Sequence, residues 1–342
     1  MNKTVKKTLK ITGIVLGSIV GVFLLLYFIL FLIGQGKYGD ARDIRKYVCA
    51  IPETNSGWAM QGIAYTGEQY IHTGYDGDNN IVLYIGKGDS FKRVTVTDEK
   101  GKTAKGHAGG VTCTGNNVYI ANGDVLMRYD LAELKDAKAG GKVQVKQSIP
   151  VDVGAAYCFS DETHLYVGEF YREQNYPTPS SHHYTTPSGE KNKAIVSCYR
   201  LDEDGMMAEE GVQPYPEYCI SVTGLVQGFA VKDGTVIMSR SYGLVDSQLQ
   251  YHTLPKDGNA TIKVEFEANK DAKQKEVPLY YLDGKTLFKT LTLPSFSEDL
   301  TIADNRVVVT NEASANKYIV GKLFGANKVY SYPIYEKLRV KN

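Results

Sequence analysis

Amides, carboxylates and aromatics recur at matched places along this chain, and together they suit a small-ligand site. Gln61, Gly109, Ala155, Gln227 and Glu298 each stand just ahead of a short, mainly apolar run. Gly74, Asn122, Glu169, Arg240 and Asn311 each follow a second such run, with Tyr75, Asp76, Asp78, Tyr171, Arg172 and Glu312 close behind. His107 lies among glycines and an alanine in Gly106-His107-Ala108-Gly109-Gly110. Amides and guanidinium groups hydrogen-bond polar ligands, carboxylates take cations or protons, and aromatics offer flat apolar faces. We take Gln61, His107, Asn122, Glu169, Tyr171, Arg172, Gln227, Arg240 and Glu312 as candidate ligand-binding residues. In a hydrolytic alternative, His107 and Glu298 are the candidate acid–base groups. Each also has a plainer reading. Gln61 and Gln227 would tie neighbouring sheets through the backbone, His107 would fill a channel, and Glu298 and Asp299 would cap amides. His182 and His183, in a Pro/Ser/Thr-rich loop, would simply be solvated.

The elements that position these residues repeat five times. Gly62-Ile63-Ala64-Tyr65-Thr66-Gly67 has counterparts starting at Gly110, Ala156, Gly228 and Asp299, at spacings of 48, 46, 72 and 71 residues. A second strand follows each, after a Gly/Asp/Asn turn of the tight-hairpin kind. Third strands are expected at 81–85, 125–131, 194–199, 278–283 and 328–332, and outer strands at 93–96, 143–146, 216–220 and 287–291. The fifth unit runs out of chain, and residues 45–50 at the other end are free to supply its outer strand. A period of about 40–50 residues per four-stranded unit reads as a β-propeller, and such a strand would close the ring and cover the open edge. The expected fold class is all-β: a five-bladed propeller, or a six-bladed one if residues 260–266 belong to an extra sheet. The long insertions, 172–193, about 242–276 and about 313–327 (with Tyr318 and Phe324), fall on one rim, where function concentrates on such scaffolds.

Residues 1–10 carry Lys3, Lys6, Lys7 and Lys10 with no acid, and residues 11–34 carry no charge. That span exceeds the apolar core of a signal peptide and suits an uncleaved anchor with its N-terminus in the cytoplasm. The expected layout is a cytoplasmic tail at 1–10, an anchor at 11–34, a linker at 35–44, an extracytoplasmic propeller at 45–334 and a tail at 335–342. The net charge of +1 becomes −3 once the four N-terminal lysines are set aside, which leaves no basic footprint for nucleic acid. Twenty-five tyrosines and 34 glycines favour strands and tight turns. The five cysteines, in no metal-binding spacing, are expected to be mostly buried free thiols, with Cys198 and Cys219 the pair to check. No nucleophile elbow, His-Glu-x-x-His or glycine-rich phosphate loop is present.

The phrases Ser297-Glu298-Asp299-Leu300-Thr301-Ile302 and Val307-Val308-Val309-Thr310-Asn311-Glu312 resemble a pattern of extracellular bacterial propellers, among them phytase-like, gluconolactonase-like and NHL or YVTN repeat proteins. Gln61-Gly62-Ile63-Ala64 is similar to the blade opening of the same broad class. Calcium-dependent phosphoesterases and lactonases of that class hold the ion with a Glu/Asn/Asp cluster at the channel mouth. The resemblance implies Glu169, Glu298, Asp299 and Asn311 as matching metal ligands and calcium as the cofactor, since oxygen donors suit that ion. Two functions follow as expectations. The first is a cell-surface module binding a glycan, peptide or wall fragment. The second is a metal-assisted esterase, lactonase or phosphodiesterase.

Overall fold

The computed structural model describes residues 3–207, 214–255, 260–267, 269–318, 321–323 and 325–337. Residues 1–2, Phe324 and 338–342, which enter the expectations above, lie outside that set. The uncharged N-terminal run forms most of α1 (Lys3–Lys37). Thr4–Ile33 of it is long and apolar enough to cross a membrane, a property shared by anchors and signal sequences, and none of its apolar window is buried. Its 30 residues would reach about 45 Å, more than a hydrocarbon core of about 30 Å requires. The segment expected as a linker is partly folded. A short helix, α2 (Gly39–Ile44), buries Ala41 at 2% exposure against the domain. Tyr38 donates its hydroxyl to Asp246 at 2.8 Å, and Lys37 ion-pairs with the same carboxylate at 2.6 Å.

The rest is mostly strand, with a propeller-like arrangement of sheets. β1 (Lys46–Ala50) is taken up at the far end of the chain. The first unit is an antiparallel meander of β2 (Ala59–Tyr65), β3 (Tyr70–Tyr75), β4 (Ile81–Lys87) and β5 (Ser90–Thr97). The second contains β6 (Gly110–Thr114), the long β7 (Asn117–Asp130), and, after a helix capped by Asp130, α3 (Leu131–Asp136), β8 (Lys142–Gln144). Here the expected outer strand at 143–146 is corrected. β8 runs parallel to β5 of the first unit, where Val143 joins Val94 and Val96 in the core. The outer position of the second unit goes to the first part of β9 (Gln147–Ser160), which then continues as the inner strand of the third unit.

The third unit adds β10 (His164–Glu169), the two-residue strands β11 (Tyr184–Thr185) and β12 (Lys191–Asn192) in its rim loop, β13 (Ala194–Arg200) and β14 (Tyr218–Val222). The fourth is β15 (Val226–Lys232), β16 (Thr235–Arg240), β17 (Ser247–Thr253) and, further on, β20 (Leu287–Leu293). Its third strand is thus 247–253, not 278–283 as expected. Between β17 and β20 the chain forms a hairpin of β18 (Ala260–Val264) and β19 (Lys275–Tyr281), and β19 pairs parallel with β14. Residues 260–264 therefore extend the outer edge of the third sheet and build no separate one. The fifth unit is β21 (Ser297–Ala303), β22 (Arg306–Asn311) and β23 (Lys328–Pro333), completed by β1 paired antiparallel to β23.

The inner strands β2, β6, the end of β9, β15 and β21 pack side by side in cyclic order, β21 returning to β2. Their approach explains the glycine that opens the repeat. A Cβ on Gly110 would sit 2.6 Å from the Tyr157 Cα, and one on Gly228 would sit 2.8 Å from the Asp299 Cα. Apolar residues fill the wedges between sheets: Ile120 with Leu83 between the first and second, and Tyr166 with Phe229 between the third and fourth. All five cysteines are free, with Cys113 half-buried and the others buried.

Candidate functional site

A local irregularity positions the polar residues of the inner strands. The pairing register slips between Met60 and Gly62, between Val226 and Gly228, and between Ser297 and Leu300. A bulge turns its extra residue out of the normal alternation. Gln61, Gln227 and Glu298 occupy those slips, and all three line a cavity of about 710 Å³ at the rim where the inner strands begin. That volume is within the usual range for small-molecule sites.

Glu298 and Glu312 form the floor. Gln61 Nε2 donates to Glu312 Oε2 at 3.0 Å, and the Tyr318 hydroxyl donates to the same oxygen at 2.6 Å. Gln227 Nε2 donates to Glu298 Oε1 at 3.2 Å. Glu298 is 4% exposed, and burial, followed by the Glu312 charge and hydrogen bond, pushes its carboxyl well above the usual range. Burial also raises Glu312, while Tyr318, Lys317, Glu298 and Gln61 offset part of that rise. Two carboxyl groups in contact cannot both ionise cheaply, since a charge on one raises the cost of charging the other.

Aromatic side chains form the walls. His107 stacks on Tyr75, with ring centroids 4.8 Å apart and planes at 10°. Its outer edge is exposed, yet the surrounding walls and the Lys317 charge hold its pKa below the ordinary value. Phe170, Tyr176, Tyr242, Phe296 and Tyr318 complete the lining, Phe170 meeting Tyr176 edge-on at 5.3 Å. The exposed Lys317 places its ammonium 4.4 Å from the Tyr75 ring centre and 4.7 Å from that of Tyr318, at the edge of the cavity. No lysine or arginine is among the described lining residues, whereas six carboxylic residues are.

A second acidic cluster reaches the cavity wall but is satisfied from within. Glu169, 2% exposed, accepts from His182 Nδ1 at 2.9 Å and from the Ile195 amide at 3.0 Å. Burial alone would lower the His182 pKa; the hydrogen bond and charge of Glu169, with Asp152, outweigh it and raise the value. Asp152 accepts from the Ser197 hydroxyl at 2.8 Å and from the Tyr199 hydroxyl. His182, expected to be solvated, is therefore buried and pins the loop that carries Tyr176.

Several expected site residues sit elsewhere. Asp299 Oδ2 accepts from the Ile63 and Val111 amides, both at 3.2 Å, joining three units at the centre. Asn311 donates to the Ser295 carbonyl at 2.7 Å and accepts from the Ala313 amide at 2.9 Å. With Glu169 bound to His182 and Ile195, two of the four residues implied as calcium ligands, Glu169 and Asn311, have every side-chain oxygen engaged by the protein, whereas the buried Asp299 Oδ1 has no partner. Among the described residues no group of three or more His, Cys, Asp or Glu side chains is placed to hold a metal. Tyr171 accepts from Lys193 at 3.0 Å, Arg172 stacks 4.1 Å over Tyr242, and Arg240 donates to the Gly224 carbonyl at 3.0 Å. None of these three lines the cavity. Asn122 does, while donating to the Lys105 carbonyl at 3.0 Å beside the His107 turn. Phe170, Tyr242, Phe296 and Lys317 were not legible, because they lie on irregular segments outside the repeat.

No protein-family model and no curated protein sequence matches the chain. Among solved structures, the chain is similar to a GH43_1 enzyme from Xanthomonas citri, with 10% identity, 88% of this chain and 94% of that one covered, and a TM-score of 0.42. It is also similar to BamB from Moraxella catarrhalis, with 7% identity, 80% and 84% covered, and a TM-score of 0.32. A third likeness is to Kluyveromyces lactis Hsv2, with 10% identity, 75% and 57% covered, and a TM-score of 0.30, so the chain spans just over half the length of that protein. Likenesses this distant do not bear on activity.

Proposed function

We propose that the chain is a membrane-anchored, five-bladed propeller closed by β1, held outside the cytoplasm, whose central mouth binds a hydroxyl- or amine-bearing ligand such as a glycan, peptide or wall fragment. The observation that carries this reading is the composition of the mouth. A carboxyl pair and two amides form its floor, aromatics form its walls, and six carboxylic residues line it against the Lys317 ammonium placed at its edge. Such a lining donates and accepts hydrogen bonds, stacks on flat apolar faces and disfavours anions. Gln61 and Gln227 position the carboxyls, His107 and Tyr75 form one wall, and the loop pinned by His182 forms another. The metal-assisted alternative has no support from its implied ligands.

The test uses full-length protein in nanodiscs against a panel of neutral, amine-bearing and phosphorylated oligosaccharides and peptides. Neutral or amine-bearing members should bind, and Gln227→Ala or Tyr176→Ala should weaken them. Preference for the phosphorylated members, or indifference to both substitutions, would count against the reading.

A further inference from the structure

The end of α1 meets the domain on the same rim as the cavity. Lys37 and Tyr38 both contact Asp246, and α1 also touches the 3-10 turn Gly321–Leu323 just beyond Tyr318. Asp246 closes the short loop after β16, whose Tyr242 and Gly243 line the cavity. At the tip of that loop Leu244 is 53% exposed and Val245 72% exposed. Outside α1 only four described large hydrophobic side chains are exposed, and three of them, Tyr176, Leu244 and Val245, are on this rim. The hairpin turns of the opposite rim carry polar residues such as Glu68, Asn116, Glu162, Asp233 and Asn305.

We infer that Leu244 and Val245 dip into the membrane interface and turn the cavity mouth toward the bilayer that holds α1. The inference rests on the anchoring reading of α1 and goes beyond it in assigning a second, side-chain contact with lipid. The distances are compatible. The uncharged residues 11–33 reach about 35 Å, close to a hydrocarbon core of about 30 Å, and Lys37 lies four residues past Ile33, or about 6 Å further along a helix. The headgroup layer on one side of a bilayer is about 5–7 Å thick, so Lys37 and its partner Asp246 stand at headgroup depth. Val245 and Leu244, one and two residues from Asp246, have a reach of about 3.5–7 Å, enough to meet the acyl boundary. Apolar side chains beside a lysine at that depth match the composition of interfacial anchors. The Ser295 hydroxyl donates to the Leu244 carbonyl at 2.8 Å and holds the tip outward. A ligand would then reach the mouth along the membrane surface.

Full-length protein in nanodiscs containing lipids with a nitroxide near the headgroup tests the contact. The native Trp58 is buried, so Val245→Trp and, on the opposite rim, Asp233→Trp serve as separate reporters. If the tip enters the boundary by about 5–10 Å, Val245→Trp should lose roughly half its emission while Asp233→Trp is unchanged. Adding Leu244→Asp to the Val245→Trp protein should restore the emission. Equal quenching of both reporters, or none at Val245→Trp in protein that co-floats with the discs, overturns the docking alone. Failure to co-float overturns the anchor reading as well.

Discussion

Two carboxyl clusters border the same cavity and meet opposite fates. Glu169 and Asp152 are satisfied by His182, the Ile195 amide, Ser197 and Tyr199, all from within the third unit and its rim loop. Glu298 and Glu312 lean on two amides and a phenol, and then on each other. The first cluster uses its charge to fasten a loop. The second keeps two carboxyls with raised pKa values in the lining of the cavity, which is the arrangement expected where a protein trades stability for binding. Asp299 sharpens the contrast, because it is adjacent to Glu298 in sequence yet its Oδ2 oxygen bridges two backbone amides.

Substitutions should separate the clusters. Glu169→Ala leaves the His182 ring N–H and the Ile195 amide buried without their acceptor, and should destabilise the domain by about 2–5 kcal/mol in urea unfolding. Equal loss from Glu312→Ala would erase the distinction. Glu312→Gln should instead act on binding, weakening the ligand at least tenfold, about 1.4 kcal/mol by titration, while the unfolding midpoint shifts little. Glu298→Gln should raise stability at pH 8 by about 1 kcal/mol. A carboxyl whose folded pKa is raised contributes stability below its unfolded pKa and loses it as pH rises through the folded value, and an amide escapes that loss. The gain should therefore vanish near pH 4. A smaller effect concerns His182, whose raised pKa makes its contribution complete below about 6.5 and lost as pH climbs through the folded value. Protection of the amides in residues 172–193, taken relative to intrinsic exchange at each pH, should fall between pH 6 and pH 9, with global stability changing by under about 1 kcal/mol. Least of all, a reductant should leave the melting temperature unchanged, and labelling after denaturation should count five thiols.

Much of this contrast was legible beforehand and some of it was not. The five units announced themselves because each opens on a residue small enough, or bulged enough, to let inner strands abut, and Gln61, Gln227 and Glu298 inherit their positions from it. The third strand of the fourth unit was missed because 247–253 alternates polar and apolar, with Leu249 and Tyr251 inward, and looks weaker than the run at 278–283. The parallel pairings of β5 with β8 and β14 with β19 leave no local turn signal, since parallel neighbours are joined by long crossovers. His182 looked solvated because nothing near it in sequence reports its contact with Glu169 or the nearby Asp152. The carboxyl pair itself needed Glu312 brought under Tyr318 by an irregular loop, which no periodicity encodes.

The pairing of β1 with β23 also sets a timetable. Lys46 faces Ser331, 285 residues later in the chain. At synthesis rates of about 5–20 residues per second, roughly 15–60 s separate the appearance of the two strands. During that interval the first strand has no partner, while the four preceding sheets are free to assemble one after another. The seal of the domain therefore waits for β23, and a chain cut short before Lys328 would leave both the seam and the fifth sheet open.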